Sequence, residues 1–271
     1  MTVDPRYSRH VGLLGVQGQE RIARAAVAIV GLGGLGSHVA QQLAYLGVLR
    51  FFLVDGDVVS VSNLNRLVGA NYNDVGTRKV DVAERMITAI QASASVIRVG
   101  RHFGLEDPPD GLDNVDVLFG CVDSDAVRLD LVRYASAFAR PYIDLASDVA
   151  SGGEFGGRIV FAKNGERCLS CLGELDQHEL ARAQMTDEQR AADDEIYGVD
   201  RDALADAGPS VVSINGVVAS LGVTEFLVWV TGLRQPQGYL SYRGDRGTVR
   251  TRADPSRTYC HYCMTLWGQA P

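Results

Sequence analysis

The sequence predicts an α/β fold: a mostly parallel sheet with helices on both faces, joined late in the chain by antiparallel strands. Three observations predict it. Val27–Gly36 reads as an apolar strand running into a glycine turn and then a helix. Short apolar runs alternate with helical patterns as far as Leu145, the rhythm of parallel strands joined by right-handed crossovers. Beyond Ala150 that alternation gives way to a glycine-rich stretch and short strands of period two.

In chain order, Arg6–Leu14 and Gln17–Ala25 are helical segments of mixed polarity. Ala26–Val30 is the first strand, Leu35–Leu46 the helix after the glycine turn, and Phe51–Asp55 a second strand ending in an acid. A polar loop, Val58–Val75, precedes a helix over Lys79–Ile90, whose Val80, Ala83, Ile87 and Ile90 share a stripe. Ser95–Val99 and Val115–Gly120 are strands, Asp125–Phe138 a helix and Pro141–Leu145 a strand. Gly152–Gly157 reads as a loop leading to a strand at Arg158–Phe161, with further strands at Gly238–Arg243 and Thr248–Arg252. The apolar run Val211–Val230 is interrupted by Ser213, Asn215, Ser220, Thr224 and Glu225, which predicts a buried amphipathic helix rather than a membrane span.

At 271 residues with 46% apolar and 22% charged side chains, the chain can bury a sizeable core, and disordered and fibrous classes are excluded. A net charge of −7 argues against nucleic acid or an anionic membrane as partner. Residues 1–16 lack the apolar core of a signal peptide, so a cytoplasmic protein is expected, where five cysteines do not serve as disulfide staples.

The glycine turn carries the first chemical signal. Gly31 permits the turn off the strand, Gly33 and its neighbour Gly34 let backbone amides approach a phosphate, and Gly36 allows the helix to pack on the sheet. Asp55 lies 19 positions after Gly36, near the offset at which an acid bonds ribose hydroxyls. Asn63, Arg66, Lys79, Asp123 and Arg128 fall, like Asp55, beyond the carboxyl ends of the parallel strands, where open α/β sheets bind ligands. Singly, Lys79 or Arg128 would more often be a solvated surface charge. Together the set suits a nucleoside triphosphate with Mg²⁺ better than a nicotinamide.

The second signal is Cys168-x-x-Cys171 with Cys260-x-x-Cys263. Two such knuckles supply the four thiolates of a tetrahedral Zn²⁺ site, although spacing alone also admits a redox pair or chance. His261 reads as a bystander, and Cys121, inside an apolar run, as core packing.

These residues resemble a known family. Arg6-Tyr7-Ser8-Arg9, the glycine turn, Val54-Asp55, Ser62-Asn63-Leu64-Asn65-Arg66, Val75-Gly76-Thr77-Arg78-Lys79, Cys121-Val122-Asp123 with Arg128, and the paired knuckles together resemble the ThiF/MoeB/HesA adenylyltransferases, relatives of the ubiquitin-activating enzymes. The resemblance implies a Rossmann-like single domain over 1–271. Its parts would be N-terminal helices at 1–25, a nucleotide-binding half at 26–150, and a partner-binding and zinc half at 151–271 with a crossover loop at 173–207. It further implies that Asp55 holds the ribose, that Asn63, Arg66 and Lys79 contact the phosphates, that Asp123 binds Mg²⁺ and Arg128 lies near the nucleotide. Arg9 would reach into a second subunit's site, making a homodimer. The implied chemistry is attack on ATP by the C-terminal carboxylate, usually Gly-Gly, of a small ubiquitin-like or sulfur-carrier protein, giving an acyl-adenylate. Arg9, Arg66, Lys79 and Asp123 would carry that step.

The crossover stretch carries eleven acids against three arginines and no cysteine, whereas several family members carry an acyl-accepting cysteine there. A solvated loop and a partner-docking loop both fit this composition. Adenylation of a short ribosomal peptide is the alternative reading. An NAD-dependent oxidoreductase would leave Asn63, Arg66, Lys79 and the cysteine pairs unexplained, and a non-catalytic subunit would be expected to have lost some of the ATP residues.

Overall fold

Ala26–Val30 forms β1, and all five of its residues are buried. An unbroken apolar run is what a parallel strand covered on both faces requires. Around it runs one eight-stranded sheet in the order β3-β2-β1-β4-β5-β6-β7-β8. Its strands are β2 (Arg50–Val54), β3 (Ser95–Val99), β4 (Val117–Gly120), β5 (Tyr142–Val149), β6 (Phe155–Ala162), β7 (Tyr239–Arg243) and β8 (Thr248–Thr251). Strands β1 to β5 pair in parallel, and the pairs β5–β6, β6–β7 and β7–β8 are antiparallel. The computed structural model describes residues 4–150, 152–186, 188–189, 209–252 and 259–270.

The helices cover both faces, as expected. Val27 and Ile29 point into a core shared with α1 (Ser8–Arg24), α2 (Gly34–Leu46), α3 (Lys79–Ile90) and α7 (Val212–Thr231). Ala26, Ala28 and Val30 point into the opposite core, built with α4 (Asp125–Ala137), the short α5 (Leu169–Leu172) and the cysteine region. Helix α1 is interrupted at Gly15, whose φ of 67° divides it into the two segments read from the sequence. Helix α2 ends on Gly47 at φ 96°, where the left-handed conformation suits glycine.

Helix α7 is long and apolar enough to cross a membrane, but here it packs against α1, α2, β5 and β6 with Asn215 and Glu225 buried. Its exposed stripe carries Ser213, Ser220 and Thr224 with Val217, while its other sides face the sheet, α1 and α2. Several strand boundaries shift by a residue or two, and those of β5 and β6 by more. Strand β5 continues to Val149 and β6 starts at Phe155, so part of the glycine-rich stretch is strand. Glycine serves there as a close-packing residue: a Cβ on Gly156 would run into the Tyr242 carbonyl, and one on Gly157 into that of Ala146. A helix, α6 (Gln177–Ala183), lies within the expected crossover loop, of which Asp187 and residues 190–207 fall outside the described residues.

Candidate active site

The strand order reverses between β1 and β4, and a cavity of about 350 Å³ opens there at the carboxyl ends of the strands. The glycine turn forms its floor. Gly31, at φ 86°, donates its amide to the Val54 carbonyl at 2.9 Å, and a Cβ on it would lie 2.6 Å from the Cys121 carbonyl. A Cβ on Gly36 would strike the Gly31 carbonyl, so that residue locks helix to turn. A Cβ on Gly34 would strike the Asn215 amide, whereas one on Gly33 would meet no protein atom within 4 Å. Gly33 and Gly34 line the cavity, while Gly31 and Gly36 shape the turn beneath it.

Asp55, Asn63, Arg66, Lys79, Asp123 and Arg128 all line the same cavity. Asp55 is 7% exposed, its Oδ2 accepting from the Leu32 amide at 2.6 Å and its Oδ1 from the Asp57 amide at 2.8 Å, so it braces the turn. Asn63 Oδ1 accepts from the Ser60 amide at 3.1 Å, which fixes the loop ahead of Arg66. Arg66 donates to the Ser62 carbonyl at 2.7 Å. Lys79 Nζ lies 2.7 Å from Asp57 Oδ2 with its side chain only 11% exposed. Arg128 donates to Asp125 Oδ1 at 2.8 Å and to the Val122 carbonyl at 2.7 Å. Burial opposes its charge, yet Asp144 and the hydrogen-bonded Asp125 outweigh that and hold the guanidinium above its ordinary value. Arg9 is exposed on α1 and is not among the residues lining this cavity.

Sequence reasoning missed five polar lining residues: Asp57, Ser147, Asp148, Ser210 and Asn215. Asn215 was visible as a polar break in an apolar run. It is 1% exposed, accepts from Ser147 Oγ at 2.8 Å and donates to Ser210 Oγ at 3.0 Å. Asp57 sits two residues beyond Asp55, and Asp148 lies on the part of β5 beyond the strand end read at Leu145. The cavity's charges are Arg66, Lys79 and Arg128 against Asp55, Asp57, Asp123 and Asp148. Asp55 is committed to backbone amides and Asp57 to Lys79, while Asp123 and Asp148 are exposed and no ion pair among the described residues holds them. Such carboxylate oxygens suit a hard divalent cation, which would also relieve their repulsion of a polyphosphate.

Cys121 lines the same cavity but is 9% exposed, and burial, with Asp144 nearby, pushes its thiol well above the usual range. A thiol so placed is a poor nucleophile.

On the α4 face, Cys168, Cys171, Cys260 and Cys263 bring their Sγ atoms within 4.8 Å of one another. Sγ separations are 3.7 Å for Cys168–Cys171, 3.7 Å for Cys168–Cys260 and 3.6 Å for Cys171–Cys263. A tetrahedron of ~2.3 Å metal–sulfur bonds has edges of ~3.8 Å, so the four thiols fit a metal ion. Hydrogen bonding from Cys168 holds Cys263 down to about 6, while the same contact with Cys263 raises Cys168 and burial raises Cys171 to about 12.

The family model described as ThiF family matches residues 7–262. Among curated proteins, the adenylyltransferase and sulfurtransferase uba4 of Aspergillus fumigatus is 34% identical over 174 residues, 62% of this chain and 35% of its own length. The adenylyltransferase and sulfurtransferase MOCS3 of Sus scrofa is 39% identical over 171 residues, 62% of this chain and 36% of its own length. MOCS3-1 of Zea mays is 30% identical over 236 residues, 85% of this chain and 45% of its own length. The chain thus spans less than half the length of these relatives. Among solved structures, E. coli MccB with MccA-N7isoASN aligns at a TM-score of 0.77 and 20% identity, covering 96% of this chain and 75% of that one. At that identity the likeness concerns the fold alone.

Proposed function

Because the chain belongs to the ThiF family, we propose that it is an ATP-dependent adenylyltransferase that activates the C-terminal carboxylate of a small ubiquitin-like or sulfur-carrier protein. The observation that carries this reading is the convergence of Gly33, Gly34, Asp55, Asn63, Arg66, Lys79, Asp123 and Arg128 on one cavity at the reversal of strand order. Its relatives described as adenylyltransferases support the same activity.

A carboxylate is already a nucleophile, so the site needs alignment and charge stabilisation rather than a base. The turn amides and the α2 N-terminus receive the phosphates. Asp55 takes the ribose, with Asn63, Arg66 and Lys79 on the phosphates. The partner's carboxylate oxygen bonds to the α-phosphorus, the bond to the bridging oxygen breaks, and pyrophosphate departs with its electron pair. Asp123 would hold Mg²⁺, which when bound would neutralise charge developing on the leaving group. Asp57 keeps the Lys79 ammonium directed at the cavity rim. With Cys121 buried and the other four cysteines clustered, direct hand-off of the adenylate to an external acceptor suits this chain better than an internal thioester.

The test is exchange of labelled pyrophosphate into ATP. Exchange should appear only when a partner with a free C-terminal carboxylate is added, and tight NAD binding without exchange would reject the reading. Carrier proteins ending in Gly-Gly and short peptides form the two arms, which separates the main reading from peptide adenylation.

A homodimer in which Arg9 completes the partner's site belongs to the same proposal, supported by Arg9 being exposed and outside its own chain's cavity. Arg9→Ala and Asp123→Ala should each be inactive alone. Mixed dimers should recover activity, since one of their two sites would contain neither lesion. Isolated heterodimers that remain inactive would show that Arg9 does not act in trans.

A further inference from the structure

The segment after the first cysteine pair is tied to the nucleotide cavity at two points. Glu179, on α6, sets Oε1 against the N-terminus of α4, accepting from Ser124 Oγ at 2.9 Å and from the Asp125 amide at 2.7 Å. These are the two residues directly after Asp123. Ser124 is also the N-cap of α4, but its bond to the Val127 amide is long, at 3.5 Å. Glu179 therefore supplies much of the anchoring at a helix start whose amides would otherwise lack an acceptor, and its charge suits the positive end of the helix.

Asp125 makes the second tie. It is 7% exposed, and its Oδ2 accepts from the Asp176 amide at 2.6 Å while Oδ1 accepts from Arg128 Nη1 at 2.8 Å. One carboxylate thus holds the segment with one oxygen and a cavity arginine with the other. A parallel route runs through Glu174, whose Oε2 lies 3.0 Å from Arg158 Nε. Arg158 in turn lies 2.5 Å from the fully buried Asp144, and Asp144 3.5 Å from Arg128. Glu174 also pairs with Arg252 at 2.7 Å, and Arg252 donates to the Leu172 carbonyl at 2.8 Å beside the cysteine cluster. The segment is a strut between the cluster and the site.

We propose that Glu179 is a positioning residue for the nucleotide site: by anchoring Ser124 and Asp125 it fixes the Asp123 loop and the Arg128 guanidinium, so that docking of residues 173–183 and binding of metal–ATP reinforce each other. This rests on the ATP reading of the cavity. Linkage makes the effect reciprocal: the factor by which docking tightens metal–ATP is the factor by which metal–ATP tightens docking.

The experiment compares full-length wild type, Glu179→Ala and Glu179→Gln. Glutamine keeps the Oε1 acceptor, and alanine removes it. Hydrogen exchange of the 123–128 peptide is read with and without Mg²⁺–ATP, and Mg²⁺–ATP affinity is read by calorimetry. Glu179→Ala should exchange faster at 124–126 and bind metal–ATP about tenfold or more weakly, the range seen when support behind a ligand is lost, while Glu179→Gln stays within about twofold of wild type. In wild type, Mg²⁺–ATP should slow exchange in 174–183. Unchanged exchange or unchanged affinity in Glu179→Ala overturns the proposal, as does a Gln variant as impaired as Ala. If wild type binds no ATP, the proposed function falls by itself, and the exchange comparison still upholds or refutes the hold on the 123–125 loop.

Discussion

Asp123→Ala is expected to lower carboxylate-dependent pyrophosphate exchange by on the order of 10³-fold while leaving the fold intact, a loss comparable to removing one preorganised electrostatic contact from a transition state. The two halves of that expectation have separate causes. Asp123 follows β4 by three residues, at the reversal of strand order, and is exposed to the cavity. Among the described residues no hydrogen bond or ion pair involves its carboxylate, so truncation leaves no partner stranded, and a surface change of this kind shifts stability by ~0.5 kcal/mol or less. What it removes is a hard oxygen ligand at the mouth of a site already rich in carboxylates. A polyphosphate then meets Asp148 without the cation that would screen it. Asp55→Ala makes the contrast, because it would free the Leu32 and Asp57 amides and disturb the turn along with the nucleotide. Exchange activity in Asp123→Ala equal to wild type, with an unchanged melting temperature, would refute the metal role.

The sequence made β1, α3 and β3 legible to the residue, since each is a short apolar or amphipathic run closed by a glycine, a proline-free polar loop or a charge change. It also made six polar lining residues legible, because a glycine turn after a strand fixes where the strand ends converge. What remained hidden depends on tertiary approach. Asn215 enters the cavity only because α7 crosses the turn closely enough to require glycine at position 34. Asp148 does so because β5 runs past its buried half into a hairpin with β6, a pairing that Gly157 permits through its missing side chain in a stretch whose glycine-rich composition reads as loop. The Glu179 contact joins residues 55 positions apart, and the composition of its segment, which fits a solvated loop or a partner-docking loop, does not single out one acid as an internal tie.

Loss of a single cluster thiol should have the largest effect on stability. Metal analysis of protein purified without added metal should find one Zn²⁺ per chain, the content that four thiolates at tetrahedral spacing imply. Cys168→Ser or Cys263→Ser should lower the melting temperature by ~8–16 °C, from a loss of ~4 kcal/mol at ~2–4 °C per kcal/mol for a domain of this size class. The figure follows from topology. The cluster joins positions 92 residues apart, and closing a loop of that length contributes ~4–5 kcal/mol in loop entropy where the link survives only in the folded chain. It joins the turn after β6 to the tail beyond β8, at the α4 face, and Arg252 with Glu174 stiffens the same junction. Zinc must displace protons from thiols that burial and mutual hydrogen bonding hold high at Cys168 and Cys171, so zinc retention and its stabilisation should fall as pH is lowered. Because the strut runs from the cluster to the nucleotide site, Cys263→Ser measured well below its melting temperature should lose less in ATP affinity than in stability, the loss in affinity being what the strut transmits. A metal-free wild type with full stability, or a serine variant that melts with wild type, would leave the four cysteines as a reduced thiol cluster with no metal to hold.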